Sequence, residues 1–201
     1  MEDNEKGKII VIEGTDCSGK ETQTSLLVQK LRKEGKKIER MSFPDYDTPT
    51  GKIVGGPYLG KKHICEGFFP EGAAVVDPKV ACLYYAADRR YNRKRILDLI
   101  NQGIDVVLDR YFLELPRPDF TIFLYMPYQK VAELRNGRAE PSDQHEANPL
   151  HIRNAEHAYL ELAEMHNYHK IDCVDKKGKL RDVESIQEDV YNIVKKELKI
   201  K

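Results

Sequence analysis

Gly14-Thr15-Asp16-Cys17-Ser18-Gly19-Lys20-Glu21-Thr22 decides how this chain reads. Before it, Lys8-Ile9-Ile10-Val11-Ile12-Glu13 is a short β-branched apolar run, the mark of a buried strand. After it, Glu21 to Lys33 spaces Leu26, Leu27, Lys30 and Leu31 as a helix does. A glycine-bounded turn between strand and helix is the setting of a phosphate-binding P-loop. Glycine lets consecutive backbone N–H groups face one concavity, and the helix N-terminus adds its positive dipole end. Gly14 to Thr22 are therefore the candidate nucleotide-binding residues, and Lys20 is placed to reach the β and γ phosphates. The hydroxyl that ordinarily follows such a lysine and holds magnesium is replaced by Glu21, with Thr22 next. A carboxylate there disfavours a triphosphate unless it turns outward or a metal lies close.

The 201 residues suffice for one α/β domain with a sizeable core. Lys plus Arg and Asp plus Glu each number 33, so the charges cancel and no basic footprint of a nucleic-acid binder is present. Apolar runs are too short for a membrane span, and the polar, acidic start Met1 to Lys6 argues against a signal peptide. Cys17, Cys65, Cys82 and Cys173 lack zinc or redox spacing, so free thiols in a reducing cytoplasm are expected. Cys17 reads either as an oxidation-sensitive thiol or as a small loop residue. The histidines, including His151 and His157, read as surface residues.

Further along, a strand is expected over 37–43, closed by Pro44, and Asp47-Thr48-Pro49-Thr50-Gly51 reads as a turn and helix cap. The Gly- and Pro-rich stretch 52–72 reads as a lid-like connection. Asp77-Pro78 opens a helix to about Asn101, stopped by Gly103. Tyr85 and Arg89, four apart, share a helix face. The ring can stack on a flat heterocycle while the guanidinium bonds an exocyclic oxygen; spacing alone favours instead a core tyrosine beside a surface arginine. A third strand, 104–108, ends in Asp109-Arg110-Tyr111, at the strand end where open α/β sheets bind ligands. Asp109 suits magnesium and Arg110 a phosphate. Phe120 to Tyr125 is a fourth strand. Pro127 starts a helix to about Arg135, and the polar stretch 136–149 reads as a mobile lid. A helix over 150–168, a strand over 170–174 and a helix over 183–198 complete the chain.

One joint is short. Parallel strands need about a dozen residues or more to cross over, and Pro116 and Pro118 forbid a helix across much of 109–119. Either these strands are not joined as an ordinary parallel unit, or the chain lacks a segment, expected near 111–115.

Taken together, Glu13 to Asp16 through Lys20, Phe43 to Lys52, Tyr85-Ala86-Ala87-Asp88-Arg89, Asp109-Arg110-Tyr111 and Leu115 to Asp119 resemble the thymidylate kinase family over nearly the whole chain. The resemblance implies a P-loop NTPase-like parallel five-stranded sheet flanked by helices, of the nucleoside monophosphate kinase type, as one kinase domain over 1–201. It implies transfer of the ATP γ-phosphoryl to dTMP, giving dTDP and ADP, with magnesium and in a homodimer. Asp16 would meet the sugar 3′-hydroxyl, Phe43 and Pro44 would line the nucleoside pocket, Tyr85 would stack on thymine and Arg89 would bond its O4. Arg110 would hold the dTMP phosphate and Asp109 the magnesium. Because Thr15 to Ser18 carry no basic residue, a lid arginine, Arg138 or Arg135, would assist transfer. Three departures accompany the likeness: Glu21, Asp45 where many members have arginine, and the absence of a serine-containing helical segment with glutamine after Tyr111. A kinase for another nucleoside monophosphate, and a nucleotide-binding regulatory protein without catalysis, are the rival readings.

Overall fold

The computed structural model describes residues 6–111, 116–136 and 149–200. Five strands, β1 (Ile9–Gly14), β2 (Ile38–Ser42), β3 (Asp105–Asp109), β4 (Phe120–Tyr125) and β5 (His169–Asp172), form one sheet in the order β2-β3-β1-β4-β5. Every neighbouring pair is parallel. The expected parallel five-stranded sheet is therefore present. Six helices accompany it: α1 (Lys20–Lys33), α2 (Pro49–Ile53), α3 (Pro78–Asn101), α4 (Tyr128–Asn136), α5 (Pro149–Met165) and α6 (Val183–Glu197).

Strand alternation divides the core between the two faces of the sheet. Ile10 and Ile12 join Val107, Ile122 and Leu124 on one face, where Leu27 and Leu31 of α1 and Val190 and Val194 of α6 cover them. Ile9 and Val11 join Val106, Leu108 and Met41 on the other, beneath Ile96 of α3. Because β1 is central and its neighbours β3 and β4 are reached in opposite directions, the loop after β1 opens into the switch-point crevice of the sheet.

Two expectations change. The stretch 52–72 is not loop throughout: α2 runs on into a π-helical turn, Val54–Tyr58, with Val54 and Tyr58 buried. Gly-Gly-Pro reads as a breaker, but here the glycines allow close packing. A Cβ on Gly55 would lie 2.4 Å from Ile64 Cδ1, and one on Gly56 2.5 Å from Cys65 Sγ. The last strand ends at Asp172 rather than Val174, which instead forms an antiparallel bridge with Leu180.

β3 and β4 are an ordinary parallel arrangement in one respect, since both run alongside β1 in the same direction. The ten residues between them can span about 33 Å when extended, more than the ~20 Å length of either strand. The expectation of a missing segment falls on residues 112–115, outside the described residues.

Asp88, only 1% exposed, ties the chain after β2 to α3. Its carboxylate accepts from Asp45 N (2.9 Å), Thr50 Oγ1 (2.8 Å), Thr48 Oγ1 (3.2 Å) and Asn92 Nδ2 (3.2 Å). Removing it strands several half-buried donors. Asp88→Ala should cost about 2–4 kcal/mol of folding free energy, measured by urea denaturation; a loss under about 0.5 kcal/mol would show that water replaces the network.

Candidate active site

The turn after β1 is shaped by packing as much as by backbone freedom. A Cβ on Gly14 would sit 2.6 Å from the Leu124 carbonyl oxygen and 2.6 Å from Ser18 Oγ, so the loop can leave the sheet only as glycine. Cys17 (φ 60°) and Gly19 (φ 83°) both take the left-handed conformation, and Gly19 caps α1. Thr15 and Ser18 are buried within the turn. The first-turn amides of α1 lack intrahelical partners and open into a cavity of about 440 Å³ lined by Gly19, Lys20, Glu21 and Thr22.

Lys20 is buried, and its amine donates to the Thr15 carbonyl at 2.8 Å. Burial, with repulsion from Arg110, pulls its pKa down to about 8, against the attraction of Asp16, Asp109 and Glu13. Asp109 ends β3 in the same cavity. Burial pushes its carboxyl above the ordinary range, against the pull of Lys20, Arg110 and Arg40. Its Oδ1 is buried with no hydrogen-bond partner, while Oδ2 lies 3.9 Å from Arg40 Nη2. The same Arg40 nitrogen is 3.9 Å from Glu21 Oε1. The Glu21 side chain is 84% exposed, so the unexpected carboxylate turns toward solvent, with the Arg40 guanidinium beside it.

A second cavity, about 550 Å³, adjoins the first. Phe43, Pro44, Tyr85, Arg89, Arg110 and Asp16 all line it, so four separate segments meet there. The Phe43–Pro44 peptide is cis. Tyr85 meets the buried Tyr58 edge-on, ring centres 5.9 Å apart, and Arg89 Nε is buried without a hydrogen-bond partner. Arg110, in the left-handed conformation, pairs with Asp16 at 2.5 Å between the two cavities. Of the two lid arginines, Arg138 lies outside the described residues, as does the side chain of Arg135.

Sequence reasoning overlooked Glu13, Arg40 and Tyr159. Tyr159 of α5 donates to Glu13 Oε2 at 2.9 Å and stacks on Phe123 with ring centres 5.6 Å apart. Burial raises the Glu13 carboxyl, partly offset by that hydrogen bond. An acid ending a buried apolar run was a usable signal for Glu13; a partner 146 positions away was not. Among the described residues no cluster of three or more His, Cys, Asp or Glu could hold a metal, and His157 is a surface residue beside Glu161. No described helix is long and apolar enough to cross a membrane. All four cysteines are free.

The thymidylate kinase family model matches residues 12–114, half of the chain, with both cavities' principal residues inside it. The chain belongs to the thymidylate kinase family. A thymidylate kinase of Schizosaccharomyces pombe is 33% identical over 145 residues, covering 62% of this chain and 63% of that enzyme. A probable thymidylate kinase of Pyrococcus horikoshii is 29% identical over 215 positions, covering 96% of this chain and 98% of the relative. That alignment is longer than this chain, so the archaeal member of the family carries stretches that this one lacks. The thymidylate kinase of Candida albicans has the same fold, with a TM-score of 0.73 at 24% identity, over 95% of this chain and 92% of that one.

The lysine gives a pH test with a defined sign. A neutral amine cannot hold a phosphate, so ATP affinity should fall as pH rises through about 8. Calorimetry should show this fall in the wild type and weak, pH-independent binding in Lys20→Met. A flat wild-type profile from pH 7 to 9 would mean that the amine keeps its proton throughout.

Proposed function

We propose that this chain transfers the ATP γ-phosphoryl group to the 5′-phosphate of dTMP, releasing dTDP and ADP. The observation that carries the reading is the pair of adjoining cavities: one is floored by the P-loop and Lys20, the other walled by Tyr85, Arg89 and Phe43, and Arg110 stands between them. Family membership and the named relatives support the same reaction.

ATP lies with its phosphates against the amides of Gly19 to Thr22 and Lys20, which leaves the Thr15 carbonyl to meet them. Thymine sits against Tyr85 with O4 toward Arg89, whose buried Nε is otherwise unsatisfied. Phe43 and Pro44 hold the sugar, and Asp16 meets its 3′-hydroxyl. Arg110 holds the acceptor phosphate. Because those acceptor oxygens are already anionic, no strong general base is required, and positioning with charge neutralisation does the catalysis. Arg138 or Arg135, within or beside the stretch 136–149, supplies a further positive charge to the group in transfer.

The donor set fits magnesium. Such ions are held by one or two carboxylates together with substrate phosphates, and Asp109 offers a buried oxygen with no other partner. Bound beside Asp109, the ion supplies positive charge to the phosphate oxygens.

A homodimer is supported by the outer flank of α3, where Val80, Leu83, Ala87 and Tyr91 are exposed along one stripe. Work in the cytoplasm suits free thiols.

The test is ADP release with dTMP, dUMP, dCMP, AMP and GMP compared side by side. The fastest turnover is expected with dTMP, and Lys20→Ala should lower it by about 1,000-fold, or ~4 kcal/mol. Faster turnover of another acceptor would reassign the base, and ATP binding without acceptor-dependent ADP release would assign a regulatory role.

A further inference from the structure

The segment after β2, residues 43–51, contains no arginine or lysine, and its acid Asp45 stands close to the nucleoside cavity's Pro44 in sequence. Asp45 does not face the crevice. Its Oδ2 lies 3.6 Å from Arg95, its Oδ1 accepts from Asp47 N at 3.2 Å, and its backbone is held by Asp88. The carboxylate is thus committed to the surface of α3. It neither repels a phosphate in the crevice nor supplies the positive charge an arginine would.

Another side chain does reach the crevice. Lys61 lines both the P-loop cavity and the nucleoside-sized cavity, sharing both walls with Asp16, Phe43, Pro44, Tyr46 and Arg110. Its amine lies 4.8 Å from the centre of the Tyr46 ring, within cation–π range, and the side chain is half-buried. Among the described residues it forms no ion pair. Nor is its position left to a loose loop. Lys61 N donates to Gly55 O and Gly60 N to Gly56 O, both at 2.8 Å, while the Lys61 carbonyl accepts from Ile64 N at 2.8 Å. The segment that carries it packs so closely on the π-helical turn that neither Gly55 nor Gly56 has room for a Cβ. An amine held at the junction of two ligand cavities, over an aromatic ring and without a carboxylate, lacks only an anion.

We propose that Lys61 is a phosphate-binding residue of the acceptor site, paired with Arg110. The inference rests on the kinase reading above and extends it: the second positive charge at the dTMP phosphate comes from the segment after the π-helical turn rather than from the segment after β2. Tyr46 is the residue that positions the Lys61 amine.

The two nucleoside forms with and without the phosphate separate the roles. Binding of dTMP and of thymidine is measured by calorimetry for wild type, Lys61→Met and Lys61→Arg, with the melting temperature of each as the check on folding. Lys61→Met is expected to weaken dTMP about tenfold or more, as loss of a charge-assisted hydrogen bond does. Thymidine affinity should stay unchanged, and Lys61→Arg should restore most of the loss. The dTMP affinity of the wild type should also fall more steeply with salt than that of Lys61→Met. Equal dTMP affinity in wild type and Lys61→Met overturns the assignment of Lys61, as does an equal loss for dTMP and thymidine. A wild type that binds ATP but not dTMP overturns the kinase reading and this assignment with it.

Discussion

Burying an amine beside a crevice is the constraint around which this molecule is arranged. Lys20 has lost its water, and a lone ammonium in that position would be too costly to keep. The fold answers with the Thr15 carbonyl at 2.8 Å and with carboxylates from the ends of two strands and one loop, Glu13, Asp109 and Asp16. These acids in turn need partners. Tyr159 serves Glu13, Arg110 serves Asp16 and Arg40 stands beside Asp109. Each side chain satisfies one neighbour and leaves a face toward the cavity. The cluster therefore draws together β1, β2, β3, α1 and α5.

Much of this was readable in advance, and the parts that were not have physical reasons. β-branched runs bounded by glycine or proline marked the strands, because a strand covered on both faces has little freedom of composition. The P-loop was legible since its glycines and lysine are contiguous. Tyr85, Arg89 and Arg110 were legible as chemistry, but only the sheet order shows why residues so far apart in sequence share one cavity. The π-helical turn was missed because Gly55, Gly56 and Pro57 carry the composition of a loop; their helical form depends on Ile64 and Cys65 pressing against bare Cα atoms. Arg40 sits in a strand whose alternation marks it only as partly exposed, with nothing to show that Glu21 and Asp109 flank it.

The replaced hydroxyl at Glu21 illustrates how a departure from a motif is absorbed. Taken alone, an acid beside a triphosphate site opposes binding. In place, it points to solvent from the first turn of a helix, where a negative charge is favoured, and Arg40 lies beside it. Asp45 is handled in the same manner by Arg95. In both cases the compensating cation lies on a different element, so inspecting the motif residues alone would misjudge the site.

Asp88 carries a consequence of another kind. It precedes Arg89 on the same turn of α3, and through Asp45, Thr48 and Thr50 it grips the segment that follows Phe43 and Pro44. The contacts proposed to read a flat ring and those proposed to border a phosphate are in this way parts of a single stiff body. Such a body acts as a caliper, its jaws set at one span. A guest is accepted for the separation between its heterocycle and its anionic end, and a molecule with the right ring on a longer or shorter tether fails to touch both jaws.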